Sequence, residues 1–137
     1  MKKYSIGDIV FVAEYEYKSG KVGQNHSFVI IDDGQAVDIN YFGFLLSSNM
    51  SKATYPFNEV LNKDKSNCLH KDSIVKCDDL IQLTENEIQF KIGSVEQQDL
   101  ERFLDTYERY LENKLRENFE LEGTPIILQF KNRNGEE

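Results

Sequence analysis

The 137-residue chain has no tryptophan, and proline, cysteine, methionine and histidine occur only twice each. Cys68 and Cys77 are too few for a disulfide framework, and their spacing matches no common zinc pattern, so two reduced, partly buried thiols are expected. With two histidines and no Cys-x-x-Cys, neither a transition-metal site nor another cofactor is predicted. Long apolar runs are also missing. None approaches the roughly 20 residues that cross a bilayer, and the N-terminus lacks the order of a signal peptide. These absences predict a soluble, cytoplasmic protein with no membrane partner.

Positive charge is scarce too. Sixteen Lys and Arg against 24 Asp and Glu give a net charge of −8, which argues against a general nucleic-acid binder with a basic footprint. The acidity is uneven, however. Nine acids and four bases fall between Glu96 and Glu122, whereas Met1 to Ile31 has four lysines against three acids. The helix-like segment carries most of the excess, and its acids read as a solvated face.

What is present suits one core. The hydrophobic fraction is 39%, with nine Phe and seven Tyr, and there is no repeat or linker, so a single domain over residues 1–137 is predicted. "GDIVFVAEYEY" (Gly7 to Tyr17) reads as a strand, "KSGKVGQN" as a loop, and "HSFVIIDDG" as a second strand stopped by Asp-Gly. "YFGFLLSSN" is a third strand. "SKATYPFNEVL", with Pro56, is an edge strand or connector. "SIVKCDDLIQL" alternates as a strand, and "TENEIQFKIG" begins as a helical turn and ends as a short strand at Phe90 to Ile92.

The period then changes. Leu100, Phe103, Leu104, Tyr107, Leu111 and Leu115 recur at helical spacing, predicting an amphipathic helix over about 95–121. Ser94 and Gln97 read as its capping box, and Gly123 with Pro125 as its stop. An extra strand and a tail are expected over 124–137. Short strands followed by one long helix predict an α+β fold, a small, strongly bent antiparallel β-sheet or barrel with the helix across one side.

Four stretches in this order resemble the MazF/PemK (Kid) family of toxins from bacterial toxin–antitoxin pairs: "GDIVFV", "GQNHSFVII", "LLSSN" and "KDSIVKCDDLIQLTENEIQFKIGSVEQQDL". The resemblance implies an SH3-like barrel with a C-terminal helix, a homodimer, and a cognate antitoxin protein as partner. It also implies metal-independent cleavage of single-stranded RNA to a 2′,3′-cyclic phosphate. By position, His26 takes the place of the family's Arg and Ser47 that of its Thr or Ser, the pair that faces the scissile phosphate.

Those residue types suit the chemistry. An imidazole exchanges protons near neutral pH, and a serine hydroxyl can donate to a non-bridging phosphate oxygen. Lys18, Lys21, Asn25, Ser48 and Asn49 are the candidate substrate-binding residues, with Tyr15, Tyr17 and Phe42 as possible stacking surfaces. Departures from the family pattern stand beside the matches. His26 replaces arginine, Ser27 replaces proline, and Asp79 and Ile81 stand where many members carry Gln and Arg.

Plainer readings exist for each candidate. His26 can be a packed strand-end residue, and Ser47 and Ser48 a turn cap. His70 reads as solvent-exposed, Asp72 with Ser73 as a local side-chain-to-backbone bond, Asp78 and Asp79 as an acidic turn, and Cys77 as core. The competing function is therefore a non-catalytic binding module on the same barrel. It would be a CcdB-like protein-binding toxin, or the decayed RNase of a phage or mobile element.

Overall fold

The computed structural model describes residues 3–13, 25–33 and 40–119. Six strands form one sheet: β1 (Asp8–Val12), β2 (His26–Asp32), β3 (Asn40–Ser47), β4 (Asn58–Leu61), β5 (Ser73–Thr84) and β6 (Phe90–Ser94). A single helix, α1 (Gln97–Phe119), follows. Short 3-10 turns at Met50–Lys52 and Glu85–Glu87 precede β4 and β6. The sheet order is β4-β5-β3-β2-β1-β6, antiparallel throughout. The predicted strands are borne out where they are described, and β4 is the edge strand expected after Pro56. The predicted extra strand at 124–137 lies outside the described residues.

The inner strands β1 and β2 are buried on both faces, which explains their near-continuous apolar runs, whereas the edge strands β4 and β6 are more exposed. One face gathers Ile9, Val29, Phe44, Leu46, Val75 and Cys77, and α1 closes it with Leu100, Phe103 and Leu104. The opposite face gathers Val10, Val12, Phe28, Ile30, Tyr41, Ile81 and Leu83, closed by Tyr4 and Ile88. The helix is therefore amphipathic for the expected reason, with its apolar stripe on the sheet.

The sheet is open rather than closed by a continuous ladder, a small correction to the predicted barrel. Its two ends nevertheless approach each other. The Ser94 N–H of β6 donates to the Ser66 carbonyl, 3.0 Å away, in the segment between β4 and β5. Gly93 makes that approach possible: a Cβ there would lie 2.4 Å from the Asn67 carbonyl oxygen. Asn67 is itself buried, donating to the Asn62 carbonyl and accepting from the Asp64 and Leu69 N–H groups.

Ser94 does not cap the helix as the sequence suggests. It belongs to β6, and its hydroxyl donates to the buried Asp8 carboxylate at 3.0 Å. Strand pairing has claimed the residue, and α1 starts instead where the Glu96 carbonyl accepts from the Asp99 and Leu100 N–H groups. Asp8 also accepts from the Ser5 N–H and pairs with Lys91, so the "GD" of the opening motif ties β1 to β6.

β5 carries the main irregularity. Phe44 pairs with Leu80 and Leu46 with Val75, so two steps along β3 match five along β5. The excess residues include Asp78 and Asp79, which form a bulge within the strand rather than a turn. The bulge changes the face parity. Val75 and Cys77 point to the helix side, and Ile81 and Leu83 point to the other.

Candidate functional site

β2 opens on His26, β3 ends on Ser47, and the antiparallel ladder brings those two ends together. Ser27 pairs with Leu46, which sets His26 one step further on, opposite Ser47. On its other flank Ser47 pairs with Ile74 of β5. Two adjoining cavities share His26 and Ser47. One, of about 380 Å³, is lined also by Asn25, Ser48, Asn49 and Ser73. The other, of about 200 Å³, is lined also by Lys52, Asn58 and Lys76.

The structure thus brings together His26, Ser47, Asn25, Ser48 and Asn49 from the sequence candidates. Lys18, Lys21, Tyr15 and Tyr17 lie outside the described residues. Phe42 is half-buried in β3 and lines neither cavity. Lys52, Asn58 and Lys76 were not anticipated. The alternation of buried Val75 and Cys77 implied that Lys76 faces the other way, but only the β3–β5 register puts it beside the Ser47 row.

His26 is half-buried, and its imidazole titrates below the ordinary 6.5. Burial is the larger cause, and the Lys76 ammonium adds to it by repelling a second positive charge. At neutral pH the ring is therefore neutral and able to accept a proton. The Ser47 Oγ accepts from the Asn49 N–H at 3.2 Å, which leaves its own proton to donate. The Asn49 side-chain oxygen accepts from the Ser51 N–H and hydroxyl, starting the 3-10 turn. The turn-cap reading of this stretch and the site reading are compatible, because the same turn fixes the hydroxyl's position.

Of the departures from the family pattern, His26 and Ser27 line the larger cavity, whereas Asp79 and Ile81 lie elsewhere. Ile81 is buried in the second core, Asp79 sits in the β5 bulge, and neither lines the two cavities. His70 is exposed, as expected. Both thiols are unpaired, Cys77 buried as expected but Cys68 exposed rather than partly buried. Asp72 accepts from the Lys63 N–H nine residues away rather than locally, while the Ser73 hydroxyl bonds the nearby Lys71 carbonyl. Among the described residues no group of three or more His, Cys, Asp or Glu is placed to hold a metal ion. No described helix is long and apolar enough to cross a membrane.

This sheet-and-helix arrangement is the fold of the MazF endoribonuclease toxins, as the sequence resemblance implied. An endoribonuclease from a mycobacterial species superposes with a TM-score of 0.60 at 13% identity, covering 82% of this chain and 94% of that one. A mycobacterial endoribonuclease in complex with its cognate antitoxin gives 0.59 at 13% identity, covering 77% and 92%. The Mycobacterium tuberculosis toxin MazF-mt6 gives 0.58 at 11%, covering 75% and 95%.

A second relationship was not visible in the sequence reading. Residues 56–131, more than half of the chain, match the model for the KH-domain-like C-terminal part of EngA bacterial GTPase enzymes, and the chain belongs to that family. GTPase Der of Campylobacter fetus is 66% identical over 32 residues, 23% of this chain and 7% of that protein. GTPase Der of Burkholderia ambifaria is 51% identical over 35 residues, 26% and 8%. The chain thus matches less than a tenth of the length of these GTPases. The family match takes in β4, β5, β6 and α1, whereas His26 and Ser47 lie before it.

Proposed function

We propose that the chain is a MazF-type toxin that cleaves single-stranded RNA without a metal. The observation that carries this reading is the juxtaposition of His26 and Ser47 at paired strand ends, with Lys76 alongside. In this reading the neutral His26 imidazole takes the ribose 2′-OH proton, and the 2′-oxygen attacks the adjacent phosphorus. The P–O5′ bond breaks, solvent protonates the departing oxygen, and a 2′,3′-cyclic phosphate remains. The Ser47 hydroxyl and the Lys76 ammonium stabilise charge on the non-bridging oxygens. Asn25, Ser48 and Asn49 hold the strand at the mouth, and Lys18 and Lys21 attract the phosphodiester backbone.

A single domain over residues 1–137, a cytoplasmic homodimer and a cognate antitoxin belong to the same proposal. They are supported by the MazF-type fold and by the neighbour solved with its antitoxin. The test is cleavage of a labelled, mixed-sequence single-stranded RNA in EDTA. Wild type should give cyclic-phosphate ends, and folded His26→Ala should not. Equal cleavage by both proteins, or none by either, would overturn the assignment.

A second reading is favoured by the KH-like match, since KH modules clamp single-stranded RNA without cutting it. That grip uses a Gly-x-x-Gly loop, and residues 56–131 contain none; the chain's own Gly20-x-x-Gly23 lies outside the match. RNA binding without cleavage in the same assay would select this reading.

A further inference from the structure

The smaller of the two site cavities is contiguous with a third hollow. Lys52, Asn58 and Lys76 line both. The third hollow, about 380 Å³, lies between the segment before β4 and the second half of α1, and its walls include Tyr55, Phe57, Tyr110 and Lys114. Phe57 and Tyr110 meet edge to face with centroids 5.3 Å apart. Tyr55 is 55% exposed, the highest value among the large hydrophobic side chains described. Phe57 holds a φ of +65°, a conformation that costs a bulky residue free energy, and its carbonyl accepts from the Cys77 N–H at 3.0 Å. A strained backbone therefore presents this ring to the hollow.

The charges are as informative as the rings. Lys52, Lys76 and Lys114 converge here on a chain of net charge −8, and none is ion-paired among the described residues. Lys114 instead lies over the Tyr110 ring at 5.9 Å. Asp78 and Glu117 also line the hollow. Aromatic faces flanked by lysines make a stacking platform with a backbone grip, the arrangement that single-stranded nucleic acids use. The two carboxylates disfavour a bare phosphate in the hollow and can accept from the exocyclic amine of a base.

We propose that this hollow is a base-binding subsite for the nucleotide one phosphate beyond the two joined by the cleaved linkage. Its base stacks against Tyr55 and Tyr110, and Lys52 and Lys76, shared between the hollows, hold the intervening phosphate. The proposal rests on the RNA-cleavage reading above. It extends the substrate contact from the strand ends of β2 and β3 to the C-terminal half of α1, which a cleavage site alone does not require.

The test compares kcat/KM on two substrates, a ribodinucleotide and a hexanucleotide with one ribonucleotide at the cleaved position. In wild type the hexanucleotide should be favoured. In Tyr55→Ala, an exposed position that leaves the core intact, the ratio of hexanucleotide to dinucleotide should fall about tenfold. In the hexanucleotide, an abasic residue at that outer position should cause the same loss in wild type and little further loss in Tyr55→Ala. Lys114→Gln should act in the same direction. Normal cleavage with an unchanged ratio in Tyr55→Ala would overturn the subsite and leave the RNase standing. A wild type that cleaves neither substrate would remove the RNase reading and the subsite with it. A flat abasic scan, together with a changed sedimentation coefficient in Tyr55→Ala, would assign the hollow to contact between copies and overturn the proposal.

Discussion

Arg102 of α1 donates to the Glu59 carboxylate of β4 at 2.6 Å, and the same guanidinium donates to the Val60 carbonyl at 2.9 Å. Glu59 also accepts from the Thr106 hydroxyl at 2.8 Å. One carboxylate on the edge strand therefore fixes two successive turns of the helix. Both partners are partly exposed, so solvent screening keeps the ion pair modest. Glu59→Ala should lower stability by about 1–2 kcal/mol, because it leaves the buried Thr106 hydroxyl without its acceptor. Urea unfolding would measure the loss, and a double-mutant cycle with Arg102→Leu should return a coupling of about 0.5–1 kcal/mol.

Under the proposed function, the pH dependence of cleavage follows from His26. Its ring titrates below 6.5 in the folded protein, and the proposed mechanism uses its base form. The rate should therefore be level above 6.5 and fall as pH drops through the lowered value. Lys76→Gln removes the nearby ammonium, so its acidic limb should move to higher pH while kcat/KM falls about tenfold. A limb that stays in place would remove Lys76 from the neighbourhood of the base.

The same group affects stability with a definite sign. A histidine whose folded pKa is depressed leaves the folded state at full strength above 6.5, where both states are neutral. Below 6.5 the unfolded chain takes up the proton first, so its contribution opposes folding as pH falls. Thermal melts of wild type and His26→Gln should diverge in the direction of a flatter acid limb for the variant, with equal melting temperatures near pH 8.

Gly93 is a sharper structural test. A methyl group at this position would meet backbone at 2.4 Å, a distance that no side-chain adjustment relieves. Gly93→Ala should cost about 1–3 kcal/mol in chemical denaturation. Loss of the Ser94–Ser66 hydrogen bond should appear as faster amide exchange at Ser94.

The two thiols should behave oppositely. Cys68 is exposed, whereas Cys77 is buried and its ionisation is pushed well above the ordinary thiol range by that burial. Native protein should take up one equivalent of a thiol reagent, at Cys68, and a second only after denaturation. Peptide mapping of the labelled protein checks the assignment.

How much of this was legible beforehand depended on how local each signal was. The helix was readable because Leu100, Phe103, Leu104 and Tyr107 recur at one period and meet one sheet face. His26 and Ser47 were readable as a pair through the ordered resemblance to the toxin family, and the β2–β3 register sets them opposite each other. Lys76 was not, because its place depends on the β3–β5 register, which no short stretch encodes. Ser94 looked like a cap because the Ser-x-x-Gln spacing is local, and pairing with β1 overrode it. The aromatic hollow joins Tyr55 to Tyr110, 55 residues apart, so no motif could announce it.

The bulge in β5 has an evolutionary consequence. Before it the strand supplies Ile74 and Lys76 to the rim of the site, and after it Ile81 and Leu83 to a core. The surplus residues absorb a mismatch in length, so the register of the leading half of the strand is set apart from that of the trailing half. Foldability constrains both segments, through Val75 and Cys77 before the bulge and Ile81 and Leu83 after it. Under the proposed function, a lineage retunes its target at the outward-facing Lys76 while inheriting the rest of the sheet unchanged.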